Sequence, residues 1–345
     1  MKSKSHRALI SICVSGVMIC FALAAGPANP ATAQEPKRLA ITTNSQEHTE
    51  AEAPPSKIYD EKADAKADIN AALGRAKMNH SRVLIQWGAN WCGWCRLLHH
   101  LFESDPEIRH ELLYEYEIVL VDIGKWDKNR DLAKKYGADL ENNGVPFLTI
   151  LDSDGKVVIN QESGTLETKS IDKTKNIGHD RKKVLAFLTA HQADAANAED
   201  VLVSALSTAA REDKLIFLHF GAPWCGWCHR LENWMARPEI EEILAKQFVD
   251  TKIDSDRFIG GADMLKKFRG SEGGGIPWFV FLDSKGNTLI TSTAPKGNIG
   301  FPVQPNEIAH FMEMLRSSAK TLSVDDLTII EESLKPKPKE GRADG

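Results

Sequence analysis

The sequence lacks the features that mark several large classes of protein. It has no basic surplus, because 43 Lys and Arg residues are outnumbered by 48 Asp and Glu residues, and a formal net charge of -5 argues against nucleic acid as a partner. It carries no nicotinamide or flavin fingerprint, so no such cofactor is expected. With 42% hydrophobic and 26% charged residues, wholesale disorder and a membrane protein of several spans are also excluded.

The start of the chain is typical of an export signal. Three basic residues precede an apolar run over residues 8–25, and the small residues Ala31, Thr32 and Ala33 form a cleavage site. We therefore expect cleavage near Ala33 and an exported protein, periplasmic or extracellular. A retained membrane anchor is one alternative, since the apolar run is as long as the shortest membrane spans. A lipoprotein processed at Cys20 is another.

Cysteine is scarce, and its placement is informative. Of the six cysteines, Cys13 and Cys20 would leave with the signal. The other four form two close pairs, Cys92 with Cys95 and Cys225 with Cys228. A disulfide between cysteines separated by only two residues closes a loop too small to stabilise a fold. The two pairs therefore indicate reactive cysteines rather than structural disulfides.

An internal repeat organises the chain. IQWGANWCGWC at 85–95 matches LHFGAPWCGWC at 218–228, and GVPF at 144–147 matches GIPW at 275–278. A period of about 130 residues is too long for a solenoid unit, so each copy is expected to be a complete domain. We expect the following division: a signal peptide over 1–33, a flexible leader over 34–57, domains over 58–192 and 198–322, and a C-terminal helix with a solvated tail over 323–345.

Each copy predicts the same order of elements. A helix leads to an apolar strand, CGWC opens a second helix, and a third helix has Pro106 or Pro238 in its first turn. A strand, a short helix, a hairpin and a closing helix follow. This order predicts an α/β fold in which a mixed central sheet is covered by helices on both faces. Four tryptophans are expected in the core: Trp87, Trp126, Trp234 and Trp278.

A Cys-x-x-Cys motif between a strand and a helix favours a reactive thiolate. The helix N-terminus offers unpaired N–H groups and a partial positive charge, which lower the pKa of the first cysteine from its usual value of about 8.5. Thiolate attack on a disulfide then makes a mixed disulfide, which the second thiol resolves. Cys92 and Cys225 are therefore the predicted nucleophiles, and Cys95 and Cys228 the predicted resolving residues.

On these residues the chain resembles the thioredoxin superfamily. The resemblance rests on WCGWC at 91–95 and 224–228 and on the later Val-Pro and Ile-Pro steps, and it covers residues 60–192 and 199–320. It implies two tandem thioredoxin-like folds in which Pro146 and Pro277 are cis, face the cysteines and bind a substrate chain. FESDPEIRHELL and WMARPEIEEIL, which follow the motifs, are similar to exported domains of reductase type.

Four tryptophans flank the cysteines: Trp91, Trp94, Trp224 and Trp227. We expect them to form an apolar collar for an unfolded substrate segment, with a partly exposed packing role as the alternative.

Both copies depart from the family at one position. Thioredoxins carry a buried Asp six residues before the first cysteine, where it assists proton transfer from the resolving thiol, whereas this chain has Gln86 and His219 there. Glu232 lies one helical turn after Cys228 and is a candidate proton acceptor, and His99 holds the equivalent place in the first copy. Solvated helix residues are the alternative. We expect the second site, with His219 and Glu232, to resolve mixed disulfides faster near neutral pH.

Three other functions are compatible with parts of the pattern. Residues 225–229 match the C-x-x-C-H haem attachment motif. The first copy does not, because Arg96 stands where the motif requires a histidine. A zinc site with His99 or His100 would have only two thiolates in each domain, so no metal is expected. A thioredoxin-fold module that binds peptides or a partner with little redox turnover is the third alternative, because Gln86 and His219 are not carboxylates.

The sequence thus predicts an exported thiol–disulfide oxidoreductase that acts on protein thiols and disulfides through two CGWC sites. A reductase or isomerase direction is favoured over that of a primary oxidant, although reduction potentials in this superfamily run from about -270 to about -120 mV. No cofactor is expected. Electrons would then pass to or from a redox partner, membrane-bound or soluble.

Overall fold

A computed structural model of the chain describes residues 56–168, 178–271 and 273–336. The predicted signal peptide, nearly all of the predicted leader and the end of the predicted tail lie outside these residues. None of the helices in the described ranges is both long enough and apolar enough to cross a bilayer.

The first half of the structure is built on a mixed sheet of the order β2-β1-β3-β4. Its strands are β1 (Arg82–Gly88), β2 (Tyr116–Asp122), β3 (Phe147–Leu151) and β4 (Val157–Glu162). β1 runs parallel to β2 and antiparallel to β3, which pairs with β4 as a hairpin. The central strand β1 is therefore bonded on both sides, and its carboxyl end delivers the chain to the first CGWC motif.

Helices cover both faces of this sheet. They are α1 (Ala65–Asn79), α2 (Gly93–Ser104), α3 (Pro106–Glu115), α4 (Arg130–Lys135), α5 (Leu140–Asn143) and α6 (Arg181–Ala190), with a 3-10 turn at Ser163–Leu166. One apolar cluster joins α1 to the face of β1 that carries Ile85 and Trp87. The other joins α2, α3 and α6 to the opposite face, which carries Leu84. Successive side chains of β1 point to opposite faces of the sheet, so this one strand contributes residues to both apolar clusters.

The second half repeats this architecture with a sheet of the order β6-β5-β7-β8. Its strands are β5 (Leu215–Gly221), β6 (Phe248–Asp254), β7 (Trp278–Leu282) and β8 (Thr288–Thr291), followed by a small hairpin of β9 (Thr293–Ala294) and β10 (Gly297–Asn298). Its helices are α7 (Ala198–Glu212), α8 (Gly226–Met235), α9 (Pro238–Ala245), α10 (Gly261–Arg269), α11 (Pro305–Ser318) and α12 (Val324–Leu334). The fold class predicted from the sequence is confirmed in both halves.

Local sequence signals explain where the helices begin. The Asp105 side chain accepts hydrogen bonds from two N–H groups at the start of α3, and Asn197 does the same for α7. Pro106 and Pro238 occupy the first turn of their helices, as predicted, where a missing N–H costs no hydrogen bond.

Two expectations about packing need correction or extension. The sequence predicts Trp126 in the core, but this residue is 39% exposed, because it lies in the loop after β2 with a φ of 71°, beyond the edge of the core. The other three tryptophans expected there are buried. The helix α12 adds Ile330 and Leu334 to the core of the second half.

The two halves contact each other through buried polar groups. Arg257, in the loop after β6, forms a bidentate ion pair with Glu115 at the end of α3, with an Nη2–Oε2 distance of 2.6 Å. His80, at the end of α1, lies edge-on to Phe258 with ring centroids 5.2 Å apart. These contacts join the end of α1 and the start of β2 to the carboxyl end of β6.

Candidate active sites

Each CGWC motif begins a helix directly after the central strand of its sheet. Cys92 is the N-cap of α2 and Cys225 the N-cap of α8. The sulfur of each accepts a hydrogen bond from the backbone N–H of the second cysteine, Cys95 or Cys228, with an N–S distance of 3.1 Å in both sites. The first sulfur therefore lies among the unpaired N–H groups of a helix terminus, as the sequence predicts. The cysteines of each pair are joined by a disulfide.

The predicted proline loops lie beside the cysteines. The Val145–Pro146 and Ile276–Pro277 bonds are both cis, which confirms the sequence-based prediction. Cys92 Sγ lies 3.6 Å from the carbonyl oxygen of Val145, and Cys225 Sγ lies 3.5 Å from that of Ile276. The backbone just before each proline thus lies next to the first sulfur.

The four tryptophans that flank the cysteines are exposed, as a collar around each site requires. Trp91 is 52% and Trp224 58% exposed, and Trp94 and Trp227 are also exposed. Trp91 donates a hydrogen bond from Nε1 to the carbonyl oxygen of Gly124 at 2.6 Å. Trp126 lies beside it, with ring centroids 6.1 Å apart, and so adds to the exposed aromatic surface near the first site.

Two uncharged side chains, Gln86 and Tyr59, lie beside the second cysteine of the first site. Gln86 is fully buried, and its Nε2 donates to the hydroxyl of Tyr59 at 2.8 Å and to the carbonyl oxygen of Cys95 at 3.2 Å. A methyl group placed on Gly88, at the end of β1, would overlap both the Tyr59 hydroxyl and Cys95 Sγ, so these two atoms approach the same point. Leu120 packs against the apolar cluster that Tyr59 forms with Cys92 and Cys95.

The hydroxyl of Tyr59 is a proton-bearing group that approaches Cys95 Sγ at Gly88. Burial raises the pKa of Tyr59, with a further contribution from Asp122, so its hydroxyl keeps its proton. Since that oxygen accepts from Gln86, its own hydrogen remains free to be donated. His99, the candidate named from the sequence, is half-buried on α2, and burial lowers its pKa. Tyr59, rather than His99, approaches Cys95 at Gly88.

Charged groups surround the second cysteine of the second site. A methyl carbon placed on Gly221, at the end of β5, would lie 3.4 Å from Cys228 Sγ and 3.6 Å from Glu232 Oε1, which places this carboxylate behind Cys228. Glu232 Oε1 lies 2.6 Å from Nζ of Lys252, whose side chain is only 3% exposed. Glu232 is therefore a buried group and not a solvated helix residue.

The electrostatic surroundings keep Glu232 ionised. Burial alone would raise its pKa, but the interaction with His229 and the charges of Lys252 and His219 outweigh burial and hold the pKa at about 2. The same carboxylate raises the pKa of His229, whose Nδ1 lies 3.7 Å away. His229 Nε2 lies 2.7 Å from the carbonyl oxygen of Pro223, which fixes the ring over the start of α8.

His219, the second proton-handling candidate, is buried on β5. Its Nε2 lies 3.0 Å from Oδ1 of Asp250 on the neighbouring strand β6. The structure thus directs His219 toward Asp250, while Glu232 takes the place behind Cys228. Among the described residues, no group of three or more His, Cys, Asp and Glu side chains is arranged to hold a metal ion.

Sequence reasoning missed Tyr59 and Lys252. Tyr59 lies 33 residues before Cys92 in a segment without a motif, and nothing local connects it to the active site. Lys252 has a signal that could have been used: it is a lysine at an inward position of a buried strand, and a lysine is rarely buried without a partner.

Comparisons with known proteins agree with this architecture. Residues 64–153 match a family model described as "Thioredoxin-like", and residues 180–334 match one named Thioredox_DsbH and described as "Protein of unknown function, DUF255". The chain is 27% identical over 212 residues to "Protein disulfide-isomerase erp38" of Neurospora crassa, an alignment that covers 60% of this chain and 51% of that protein. It is 26% identical over 165 residues to "Protein disulfide-isomerase C17H9.14c" of Schizosaccharomyces pombe, covering 47% and 42%. The chain thus spans about half the length of the curated relatives it matches.

Among solved structures, the chain is similar to a disulphide isomerase from Xylella fastidiosa Temecula1. The two are 29% identical, with a TM-score of 0.32, over 38% of this chain and 94% of the other.

Proposed function

Because this chain belongs to the thioredoxin superfamily, we propose that it is a thiol–disulfide oxidoreductase for protein substrates, with active sites at Cys92/Cys95 and Cys225/Cys228. One observation carries the proposal. In each half, a cysteine sulfur at a helix N-terminus lies within 3.6 Å of the backbone carbonyl that precedes a cis proline. This arrangement offers a substrate both a thiolate and an adjacent backbone with which to pair.

The exchange would proceed in two steps. In the reduced protein, the thiolate of Cys92 or Cys225 attacks one sulfur of a substrate disulfide, so that a mixed disulfide forms and the other substrate sulfur leaves as a thiolate and takes up a proton. Cys95 or Cys228 then loses its proton and attacks the first cysteine, which closes the internal disulfide and releases the second substrate thiolate. The substrate gains two electrons, so a dithiol partner must reduce the site again.

Substrate binding would use the surface around the first sulfur. The backbone before Pro146 and Pro277 can hydrogen-bond to an extended substrate segment, in the manner of an added β-strand. The exposed tryptophans beside each cysteine pair supply apolar area to side chains of an unfolded segment. This chemistry suits disulfides in unfolded or misfolded proteins better than disulfides buried in folded ones.

The two sites would differ in how they treat the second cysteine. Glu232 is an ionised carboxylate behind Cys228, and together with His229, whose pKa it raises, it can take up the proton of Cys228, whereas the corresponding space behind Cys95 holds the neutral phenol of Tyr59. We therefore expect faster resolution at the second site. The proposal also includes export after cleavage near Ala33, a reductase or isomerase direction, and a division into domains at 58–192 and 198–322.

Reduction of insulin disulfides by dithiothreitol is the direct test. The protein should accelerate insulin precipitation, and a variant with all four motif cysteines changed to Ser should not. If the intact protein has no activity but still binds unfolded peptides, the peptide-binding module is the better description. N-terminal sequencing of protein recovered from the exported fraction should find a start at or near Gln34, and an intact N-terminus would contradict cleavage.

A further inference from the structure

Lys252 is the most unusual charged residue in the second half, because its ammonium group is buried inside the protein. Its side chain is 3% exposed, and a buried lysine requires partners that compensate for lost hydration. One partner is Glu232 Oε1, 2.6 Å from Nζ. The other is Asn79 Oδ1, 2.7 Å from Nζ, which lies at the end of α1 in the first half. The electrostatics behind Cys228 thus depend on a residue from the other half.

Two further contacts fix the position of Asn79. Its Nδ2 donates to Oε1 of Glu117 at 3.0 Å, which orients the amide so that Oδ1 faces Lys252. Its backbone carbonyl accepts from Nη1 of Arg257 at 3.0 Å. Arg257 is itself held by its ion pair with Glu115. Asn79 is therefore held from both halves and has little freedom to withdraw from Lys252.

We propose that Asn79 is a positioning residue of the second active site, so that the first half of the chain completes the ion pair behind Cys228. This inference rests on the proposed function and adds a component to its second site. Lys252 neutralises the Glu232 carboxylate, and Asn79 holds Lys252 where it can do so. The first site has no such dependence, because Leu120 occupies the place that corresponds to Lys252.

The consequence of removing Asn79 follows from charge balance. Without Oδ1, the ammonium group of Lys252 loses one of its two acceptors, and its buried position beside Glu232 becomes less stable. Glu232 is then less well neutralised and faces the cysteines as a bare negative charge, which disfavours a thiolate beside it. The reduced form of the Cys225/Cys228 pair is destabilised relative to the disulfide.

The test is the equilibrium of each cysteine pair with glutathione at pH 7. Thiols are trapped by alkylation, and the peptides that contain the two CGWC motifs are quantified separately by mass spectrometry. In Asn79→Ala, the equilibrium constant of Cys225/Cys228 should shift toward the disulfide by about threefold or more. The Cys92/Cys95 pair in the same sample should not change, which controls for misfolding of the first half.

Two further variants separate positioning from general loosening of the contact. In a Lys252→Met background, Asn79→Ala should add no further shift, because its effect passes through Lys252. Phe258→Leu removes the edge-on ring contact with His80, a contact between the halves in which neither Asn79 nor Lys252 takes part, and it should leave both equilibria unchanged. An unshifted Cys225/Cys228 pair in Asn79→Ala, or an equal shift in the Lys252→Met background, would overturn the inference. Because these equilibria are measured without a protein substrate, a protein that fails to reduce insulin would refute the proposed function separately.

Discussion

Lys252 and Leu120 occupy equivalent places in the two sheets. Lys252 lies opposite His219 in the register of β5 and β6, and Leu120 lies opposite Gln86 in the register of β1 and β2. One site therefore has a buried ion pair behind its second cysteine and the other has a neutral, largely apolar wall. Two identical CGWC motifs are thus placed in different electrostatic surroundings.

The two sites should contribute unequally to insulin reduction. A Cys225→Ser/Cys228→Ser variant should lose more activity than a Cys92→Ser/Cys95→Ser variant, because Glu232 lies next to the resolving thiol of the second site, whereas Tyr59 takes that place in the first. The rates are compared at equal protein concentration near pH 7. Equal losses would show that Glu232 confers no advantage.

Removal of the carboxylate should slow the second site selectively. In Glu232→Gln, release of a substrate thiol from the Cys225 mixed disulfide should slow by about tenfold or more near pH 7, since the proton acceptor for Cys228 is gone. Rapid-mixing experiments with a glutathione mixed disulfide measure this step. The matched change in the first site, His99→Gln, should leave resolution there unchanged, because Tyr59 occupies the corresponding space. A slow first site in His99→Gln would restore His99 as the proton-handling group.

The Tyr59 hydroxyl should affect the redox equilibrium of the first site. Its oxygen accepts from Gln86, so its hydrogen is available to a thiolate on Cys95 once the disulfide opens. In Tyr59→Phe that donor is lost, and the Cys92/Cys95 pair should shift toward the disulfide by about threefold in a glutathione buffer. The Cys225/Cys228 pair of the same molecules is the control. If Tyr59→Phe leaves both pairs unshifted, the hydroxyl does not interact with the thiolate.

His179 should make the first half less stable in acid. This residue is buried next to Trp94, with ring centroids 5.6 Å apart, and burial lowers its pKa to about 4. The unfolded chain binds a proton near pH 6.5 while the folded protein does not, so stability is unaffected above that pH and falls as pH drops toward 4. This linkage amounts to about 2–3 kcal/mol at pH 4.

Denaturant unfolding of wild type and His179→Phe at several pH values measures this contribution. The difference in the free energy of unfolding between the two proteins should change between pH 7 and pH 4 in favour of the variant. A difference that stays constant with pH would show that His179 takes up its proton in the folded protein.

The tryptophan collar should matter for large substrates only. Trp227 is exposed beside Cys228, under the guanidinium of Arg230 at 4.6 Å from its ring centroid. Trp227→Ala should lower kcat/KM for insulin by about fivefold through lost apolar contact, and leave exchange with glutathione unchanged. Val203→Ala, a similarly exposed apolar residue on α7 at the other face of the sheet, serves as the control. A parallel loss with both substrates would indicate that Trp227 shapes the motif itself.

The sequence predicts most of the framework and only part of the sites. The repeat, the strand before each motif and the cis prolines follow from local pattern and family resemblance. The short helix α5 and the β9–β10 hairpin were not predicted, since neither is long enough to have a clear hydrophobic period.

The features of the sites that could not be predicted are contacts between residues that lie far apart in the sequence. Asn79 and Lys252 are 173 residues apart and Gln86 and Tyr59 are 27 apart, and no local pattern relates either pair. Glu232 could be named from its helical spacing to Cys228, but its ionised state depends on Lys252 from another strand. The prediction that Trp126 is buried is wrong because a large aromatic residue soon after a strand has the pattern of a core residue. Its exposure depends on the backbone conformation of the loop, which the pattern does not reveal.

The contact between the two halves also limits how far this repeat could be extended. The first half docks through Asn79 and Glu115, and the corresponding positions in the second half are Glu212 and Gln247. Gln247 is already engaged, because its Oε1 accepts hydrogen bonds from the backbone of Lys320 and Thr321. The segment that leads into α12 thus covers the part of the face around Gln247 on which a third copy would have to stack. In the terms used for repeat arrays, the second copy carries its own cap, and the two copies are no longer interchangeable modules.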